Sequence, residues 1–386
     1  MQQLRTHISY FILSLCTVFA LCLSACKEPF SPPAGRESVS YLVVNGFING
    51  GSDSTVISLS RTRSLDDSVK SHPELSAQVT VLGEFGETYF LQDVGQGRYA
   101  NPALNLSPNE RYRLEILTSD GKKYLSDSVP VKISPPIDSI SWIQDTTNSA
   151  DSKKGVTIYV NTHDPSGSTR YYQWDYVETW EHDAAYESFF LLVNSSVVPR
   201  NPDQFTYRCW TTVVSSSLTL SSSAKLSDDV IFMNPLVFIP QGDIKLGFTY
   251  SIFVKQYAIT KEAYEYWENL KKNTELTGSI FDPQPSQLTG NIHCVTNPDE
   301  PVLGWLTAST VQEQRIYIKN TELAQWGFSV LGDCAIVIGS FDDPIFRSMG
   351  YRPIAIYLGT AYTAAFPSCL DCTSRGGNTI KPVFWP

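Results

Sequence analysis

The chain has 386 residues, of which 42% are hydrophobic and 12% are aromatic, and it carries 29 Lys and Arg against 39 Asp and Glu. The net charge of −10 argues against nucleic acid and anionic surfaces as partners, because both attract cationic proteins. The length allows two or three domains, and the aromatic content suits half-buried strands.

The N-terminus has the pattern of an export signal. Arg5 supplies a positive start, and the apolar residues 8–23 are too short and too N-terminal to span a membrane in the mature protein. They end in Leu23-Ser24-Ala25-Cys26, the small residues before a cysteine that form a bacterial lipobox. We therefore expect residues 1–26 to be a lipoprotein signal peptide, with Cys26 lipidated so that it holds the protein at a membrane surface. A plain signal peptide with a chance cysteine is the alternative.

A tether and a first domain follow. Residues 27–38 are rich in proline and show no periodicity, which predicts a tether. From residue 39 short alternating strands are separated by turns such as Asp120-Gly121. This spacing predicts a small β-sandwich over residues 39–134. Its strand pattern resembles the immunoglobulin-like, transthyretin-like and carboxypeptidase-regulatory sandwiches, which are mostly structural or recognition modules.

The second domain is also predicted to be rich in strands. Ser134-Pro135-Pro136 marks a boundary, and residues 135–386 continue as a larger, fibronectin-like β-rich domain. Its longest strand pattern, residues 171–180, is dense in Tyr and Trp. The predicted fold class is therefore mostly β, with two sandwich-like regions and one main helix.

That helix covers residues 260–275. Thr260 is a suitable N-cap, and Ala263, Trp267 and Leu270 form one apolar stripe. We expect Trp267 to be the structural anchor that packs the helix on the second sheet, with the neighbouring tyrosines half exposed. A ligand-binding aromatic cluster is the alternative. The proline-rich residues 281–304 are expected to wrap the same sheet as ordered coil.

The mature chain has five cysteines besides Cys26, namely Cys209, Cys294, Cys334, Cys369 and Cys372. An exported protein meets oxidising conditions, so we expect two disulfides and one free thiol. We favour a Cys209–Cys294 bridge, because both residues lie in apolar strand contexts, and a second bridge among the last three cysteines. Cys369-x-x-Cys372 could also be a redox pair or half of a zinc site. No helix start follows it and no second pair matches it, so a structural role is favoured.

No catalytic motif occurs in the sequence, which lacks a Gly-x-Ser-x-Gly elbow, a His-Glu-x-x-His pattern and a Walker loop. Glu181-His182-Asp183 could form a metal corner. However, adjacent residues of a strand point to opposite faces, so we expect a solvated loop there. The sequence therefore predicts no catalytic residues, no metal and no cofactor.

The most characteristic patterns lie around and after the helix: KEAYEYW over residues 261–267, FDPQPSQLTGNI over residues 281–292 and CVTNPDEPVLG over residues 294–304. With the LVVNG opening of residues 42–46 and the Phe384-Trp385 tail, the chain resembles the Bacteroidota outer-membrane lipoproteins labelled "domain of unknown function 4249". The resemblance covers essentially the whole mature chain and brings no catalytic residues with it.

The resemblance implies a lipid-anchored protein of the outer membrane that faces the cell exterior. Its implied role is that of a non-catalytic accessory to a SusC-like, TonB-dependent β-barrel transporter in nutrient capture, with a glycan or a peptide as ligand. A structural or adhesive surface lipoprotein is the first alternative. A secreted hydrolase is the second, and it would need a nucleophile beside a base.

Overall fold

The computed structural model describes residues 40–62, 72–146, 153–275, 288–324, 326–327 and 334–386. The predicted signal peptide with Cys26, the tether and the first part of the proline-rich segment lie outside these residues. The described chain is mostly β-strand with sandwich-like sheets and one main helix, which confirms the predicted fold class.

The first fourteen strands of the described residues are β1 (Leu42–Asn49), β2 (Thr55–Arg61), β3 (His72–Pro73), β4 (Gln78–Gly83), β5 (Thr88–Gly95), β6 (Arg98–Asn101), β7 (Arg111–Leu117), β8 (Lys123–Ser126), β9 (Val129–Lys132), β10 (Ile137–Asp145), β11 (Gly155–His163), β12 (Tyr171–Asp183), β13 (Phe190–Val193) and β14 (Ser196–Pro199). They are followed by β15 (Arg208–Val214), β16 (Thr219–Ser222), β17 (Val230–Pro240), β18 (Thr249–Ala258), β19 (Ile292–Cys294), β20 (Ala308–Ser309), β21 (Val311–Lys319), β22 (Val337–Gly339), β23 (Arg352–Tyr357) and β24 (Ala361–Ala365). The α-helices are α1 (Lys261–Glu275), α2 (Pro344–Ser348) and α3 (Pro367–Leu370), and short 3-10 turns occupy Pro202–Gln204, Ile244–Leu246, Asn320–Glu322 and Cys372–Arg375.

The first sheet has eleven strands in the order β19-β8-β7-β4-β5-β6-β2-β1-β20-β9, with β3 paired to β2. Because β9 also pairs with β7, the sheet closes on itself around one apolar core. The alternation typical of a sheet with one buried face is clear in β7, which buries Tyr112, Leu114 and Ile116 and exposes Arg111 and Arg113.

Two strands of this sheet come from beyond the helix. β19 pairs with β8, and β20 lies between β1 and β9 and runs parallel to both. The described part of residues 281–304 therefore joins the first sheet, so the expectation that it wraps the second sheet is wrong. A division into residues 39–134 and 135–386 does not follow the sheets, because chain from after the helix completes the first one.

We call residues 288–309 the return segment. It approaches β1 so closely that glycine is required at the contact, because a Cβ on Gly304 would lie 2.2 Å from the carbonyl oxygen of Val44. Gly304 also has a φ of +130°, which L side chains rarely adopt. Hydrogen bonds from Val44 N–H to Leu303 O, at 2.8 Å, and from Leu303 N–H to Leu42 O, at 2.9 Å, join the two backbones.

A buried ionic cluster fastens the return segment to the first sheet. The Glu300 carboxylate, whose side chain is 7% exposed, lies 2.7 Å from the Lys122 ammonium and 3.5 Å from the Arg61 guanidinium. The Tyr124 hydroxyl donates a hydrogen bond to it at 2.7 Å. Burial acts to raise the pKa of Glu300, but the hydrogen bonds from Lys122 and Tyr124 outweigh it, so the pKa is lowered. The ionised carboxylate is therefore the form that stabilises this contact.

The second sandwich packs the three-stranded sheet β10-β11-β17 against the five-stranded sheet β15-β12-β18-β21, with β16 paired to β12. The predicted aromatic strand is β12, and its side chains alternate. Tyr172, Trp174 and Tyr176 lie in the core between the sheets, whereas Gln173 and Asp175 lie on the outer face of the five-stranded sheet.

The main helix begins where the sequence predicts, because Thr260 Oγ1 accepts a hydrogen bond from Ala263 N–H at 3.2 Å. Its most buried aromatic residue is Tyr266, which is 8% exposed and accepts a hydrogen bond from Gly304 N–H at 3.2 Å. The Tyr266 ring contacts the Trp305 ring at a tilt of 34°, with centroids 5.2 Å apart. Trp267 contacts the neighbouring apolar cluster but is only partly buried. The anchoring role expected of Trp267 thus belongs mainly to Tyr266. No helix in the described residues has both the length and the apolar character needed to cross a membrane.

Two disulfides hold the C-terminal part of the chain, Cys209–Cys372 and Cys334–Cys369. The expected Cys209–Cys294 bridge is wrong, because β19 carries Cys294 into the first sheet, where it is buried without a disulfide partner. The expected bridge among the last three cysteines is present as Cys334–Cys369. Since Cys369 and Cys372 belong to different bridges, they form neither a redox pair nor half of a zinc site.

Non-reducing peptide mapping of the protein alkylated under denaturing conditions should recover Cys209 linked to Cys372, Cys334 linked to Cys369, and Cys294 as an alkylated thiol. Replacing Cys209 and Cys372 together by Ser should lower the free energy of unfolding by about 2–5 kcal/mol, because that bridge closes a long loop of the unfolded chain. A peptide linking Cys209 to Cys294 would contradict the arrangement of the two sheets.

Glu300→Gln should lower the free energy of unfolding at pH 7 by about 2–4 kcal/mol, because it removes the buried carboxylate that Lys122 and the largely buried Arg61 share. The folded pKa of Glu300 lies below its unfolded value, so this contribution is present above the unfolded pKa and disappears as pH falls through the folded pKa. Urea unfolding of variant and wild type at a series of pH values measures both effects.

The matched control is Glu265→Gln on the exposed face of α1, where the Lys261–Glu265 pair is 3.5 Å long and open to solvent. We expect a change of about 0.5 kcal/mol or less for that variant. Equal effects of the two substitutions would contradict a special role for the Glu300 cluster.

Candidate functional site

A cleft with a volume of about 440 Å³ opens between the first sheet and the outer face of the five-stranded sheet. Phe47 on β1 forms one wall, and Trp267 on α1 forms another. Asp175 on β12 and Tyr257 on β18 lie at its floor, while residues 214–218, the serine-rich loop, form its rim. The cleft is within the size range of small-molecule sites.

The walls are held by contacts between elements that are distant in sequence. The Phe47 and Tyr257 rings meet edge to face with centroids 4.7 Å apart, which joins the two sandwiches directly. On the opposite side, Tyr176 N–H donates to Ser215 Oγ at 3.1 Å, and the Tyr176 hydroxyl lies 3.2 Å from Ser217 Oγ. Both ends of the serine-rich loop rim are thereby fixed to β12.

The helix also fixes this rim. The Lys271 ammonium, near the C-terminal end of α1, donates a hydrogen bond to the carbonyl oxygen of Leu218 at 2.9 Å. That bond holds the loop beside the face of α1 that carries Trp267 and Leu270, both of which line the cleft. The cleft is therefore bounded by elements tied to one another rather than by a free loop.

Asp175 is the charged group of the floor. The Gln173 amide and the Tyr257 hydroxyl are the neutral donor groups beside its carboxylate. Burial raises the pKa of Asp175 above its ordinary value, and these two donors and the charge of Lys255 only partly oppose that effect. Burial and the nearby Asp175 charge likewise raise the pKa of Tyr257, so its hydroxyl stays protonated and keeps donating.

The basic residue directly opposite Asp175 in the sheet does not form an ion pair with it. Lys255 is its cross-strand neighbour, but the Lys255 ammonium lies 2.7 Å from the Glu313 carboxylate on the next strand and 5.4 Å from the Phe253 ring centroid. No Lys, Arg or His is among the described residues that line the cleft. The floor thus combines one acid with neutral donors, under aromatic walls.

This arrangement suits binding of a small polar molecule against aromatic rings. A carboxyl group with a raised pKa can also act as a general acid or base. Such chemistry gains from a second reactive group across the bound molecule, and the other described residues of the lining have uncharged side chains. The described lining therefore offers one acid together with neutral hydroxyl and amide groups.

The Glu181-His182-Asp183 motif lies at the end of β12. The expectation from the sequence that it lies in a solvated loop is therefore wrong. The His182 ring is buried with Nε2 2.8 Å from Thr211 Oγ1, and Asp183 receives the Arg208 guanidinium at 2.8 and 3.0 Å. Burial lowers the pKa of His182. In the described part of the chain, no three His, Cys, Asp or Glu side chains converge as a metal site would require.

Of the residues singled out from the sequence, Trp267 and Leu270 of the helix and Asn45 and Gly46 of the LVVNG opening line the cleft, while Cys26 lies outside the described residues. The sequence analysis missed Asp175, Gln173 and Tyr257. A signal for two of them was present, because Gln173 and Asp175 occupy alternate positions of a strand whose other positions are Tyr and Trp. Polar residues at every second position of an aromatic strand indicate a separate polar face.

Asp175→Asn should raise the free energy of unfolding at pH 7. The folded pKa of Asp175 is raised above the unfolded value, so the folded state holds the proton more tightly, and ionisation of Asp175 costs stability as pH rises through that interval. Asn cannot ionise, and the Tyr257 hydroxyl and the Gln173 amide can reorient to form hydrogen bonds with the Asn side chain. Thermal melts should show a gain at pH 7 that shrinks toward pH 4. A loss of stability that is the same at both pH values would contradict this reading of the floor.

Comparison of the sequence with known proteins identifies the family of the chain. The sequence model of the family described as "Domain of unknown function (DUF4249)" matches residues 27–315. A comparison with curated proteins gives no match. Among solved structures, a crystal structure of a mutant Salmonella alpha-2-macroglobulin is similar at 8% identity and a TM-score of 0.18. The match covers 84% of this chain and 16% of that one, and nothing about fold or activity follows from it. Since the family match covers about three quarters of the sequence, the chain belongs to the DUF4249 family.

Proposed function

We propose that this protein is a non-catalytic binding lipoprotein, which captures a small nutrient in the cleft and presents it to a TonB-dependent transporter of the outer membrane. The observation that carries the proposal is the cleft itself. It joins aromatic walls, represented by Phe47 and Trp267, to a polar floor around Asp175, and its rim is tied down by hydrogen bonds.

The loss of folding stability that results from burying Asp175 at the floor of the cleft supports a binding role. An Asp whose ionisation is opposed by burial lowers the stability of the folded protein at neutral pH, and such groups are concentrated at functional sites. A purely structural or adhesive lipoprotein has no need for a desolvated acid in a cleft between two sandwiches. The alternative of a hydrolase would require a nucleophile and a base in contact, and the cleft supports binding better.

The proposed location rests on the sequence. Leu23-Ser24-Ala25-Cys26 has the lipobox pattern, and the residues after it have the composition of a tether. Lipid on Cys26 would anchor the protein to the outer membrane, with the folded part facing the cell exterior beside the β-barrel transporter. The proposed transporter partnership is supported by the resemblance of the sequence to accessory lipoproteins of the Bacteroidota.

Trp267→Ala tests the cleft. We expect ligands from a panel of oligosaccharides and short peptides that raise the melting temperature of the wild type to bind the variant about tenfold more weakly, which corresponds to about 1.4 kcal/mol of lost ring contact. Because Trp267 is only partly buried, the free energy of unfolding should fall by about 1–2 kcal/mol, less than for a buried Trp.

The control variant is Phe232→Ala, which removes a ring that is 79% exposed on β17 and does not line the cleft. It should leave ligand affinity unchanged. Equal affinity of wild type and Trp267→Ala for every ligand that binds would contradict the proposal that the cleft is the site of capture.

Cys26→Ala tests the anchor. The variant cannot be lipidated, so the folded protein should move from the membrane fraction to the soluble fraction when cells are fractionated. Purification of the lipidated wild type from its native membrane should recover a TonB-dependent β-barrel in comparable amount, as mass spectrometry can establish. Membrane residence of Cys26→Ala in cells that lack this barrel would contradict lipid anchoring.

A further inference from the structure

The described lining of the cleft carries a negative charge and no positive charge. Asp175 is its acid, and the described lining residues include no basic side chain. Two acids with buried side chains have direct ionic partners, since Glu178 lies 3.0 Å from the Lys245 ammonium and Glu300 lies 2.7 Å from the Lys122 ammonium. Asp175 has the neutral groups of Gln173 and Tyr257 as neighbours, and the buried Glu110 and Asp229 also have neutral donors. Of these acids, Asp175 is the one that lines the cleft.

The neighbouring cations are engaged elsewhere. Lys255 lies beside Asp175 in the sheet, but its ammonium is bound by Glu313 at 2.7 Å. Lys271 on α1 donates to the Leu218 carbonyl at the rim. A carboxylate that is partly removed from water and lacks a direct ionic partner is poorly compensated, and a cation from outside would compensate it.

The walls suit a cation as well. Trp267 and Tyr257 both line the cleft, and aromatic faces attract organic cations electrostatically, more so where water is excluded. The hydroxyls of Ser216 and Thr307, which also line the cleft, can accept the remaining N–H donors of such a group. Resting on the proposed capture function, we infer that the cleft binds a ligand bearing a protonated amine or a guanidinium, which pairs with Asp175 against the ring of Trp267.

Other ligand charges fit less well. An anion would meet the Asp175 carboxylate, and the described lining residues offer no cation to bind it. A neutral sugar could stack on Trp267 and donate hydrogen bonds to the floor, yet it would leave the carboxylate charge without a counter-ion. Charge-assisted hydrogen bonds to a carboxylate are about twice as strong as those between neutral groups, so a cation gains more from this floor.

The test uses pairs of probes that differ only in charge. The tripeptide acetyl-Gly-Arg-Gly-amide is compared with its citrulline counterpart, and glucosamine with N-acetylglucosamine. Calorimetric titration of the full lipidated protein in detergent, at pH 7, gives the affinity of each. We expect at least one cationic probe to bind about tenfold or more tightly than its neutral partner. The pair that shows the preference distinguishes a peptide side chain from an amino sugar as the source of the cation.

Asp175→Asn should abolish that preference while keeping the protein folded, as its melting temperature will show. The matched control, Asp138→Asn, removes an exposed carboxylate that lies 2.8 Å from His163 outside the cleft, and it should keep the preference intact. Equal affinities within both probe pairs, absence of binding by every cationic probe at millimolar concentration, or a preference that survives in Asp175→Asn would overturn the inference.

The same titrations separate this inference from the proposed function. A neutral probe that binds the wild type as tightly as its cationic partner, and is lost in Trp267→Ala, would overturn the cationic ligand and leave the capture function standing. Binding of a cationic probe that is unaffected by both Trp267→Ala and Asp175→Asn would place the ligand elsewhere and overturn both.

Discussion

The structure depends on one close contact between backbones, where the return segment passes β1 at Gly304. A side chain at this position would collide with the Val44 carbonyl. Because Gly304 has no side chain, the two backbones approach closely enough for the hydrogen bonds between Leu303 and β1. From this contact the chain continues into β20, which enters the first sheet between β1 and β9. Closure of the first sheet therefore requires chain that has already passed through the second sandwich, so the two cannot be treated as independent units.

The same contact explains the most characteristic stretch of the sequence. Gly290 packs against the Gly304 carbonyl, Asn291 exchanges hydrogen bonds of 2.8 and 3.0 Å with the Leu306 backbone, and Glu300 completes the ionic cluster. Each of these residues serves the attachment of the return segment. The described part of the pattern after the helix, residues 288–304, thus serves the architecture of the first sheet.

The cleft is a consequence of this architecture. Phe47 of the first sandwich meets Tyr257 of the second, and Trp267 of α1 and Trp305 of the return segment pack in the same apolar cluster. The outer face of the five-stranded sheet is thereby partly withdrawn from water. Asp175 lies on that face, and the same burial that defines the cleft raises its pKa. The alternation in β12 was the sequence signal of this polar face. Its partial burial comes from Phe47, Tyr257 and Trp267, which lie on elements distant from β12 in the sequence.

The sequence by itself determined the features that depend on near neighbours. The mostly-β class follows from period-two alternation, and the start of α1 follows from the Thr260 cap. Tertiary structure alone decided that Cys209 bonds to Cys372, that Tyr266 is buried more deeply than Trp267, and that the return segment joins the first sheet. The physical reason is that alternation and capping act over a few residues. Disulfide pairing, burial and desolvation depend instead on distances between residues far apart in the chain, which are set only when both sandwiches have closed.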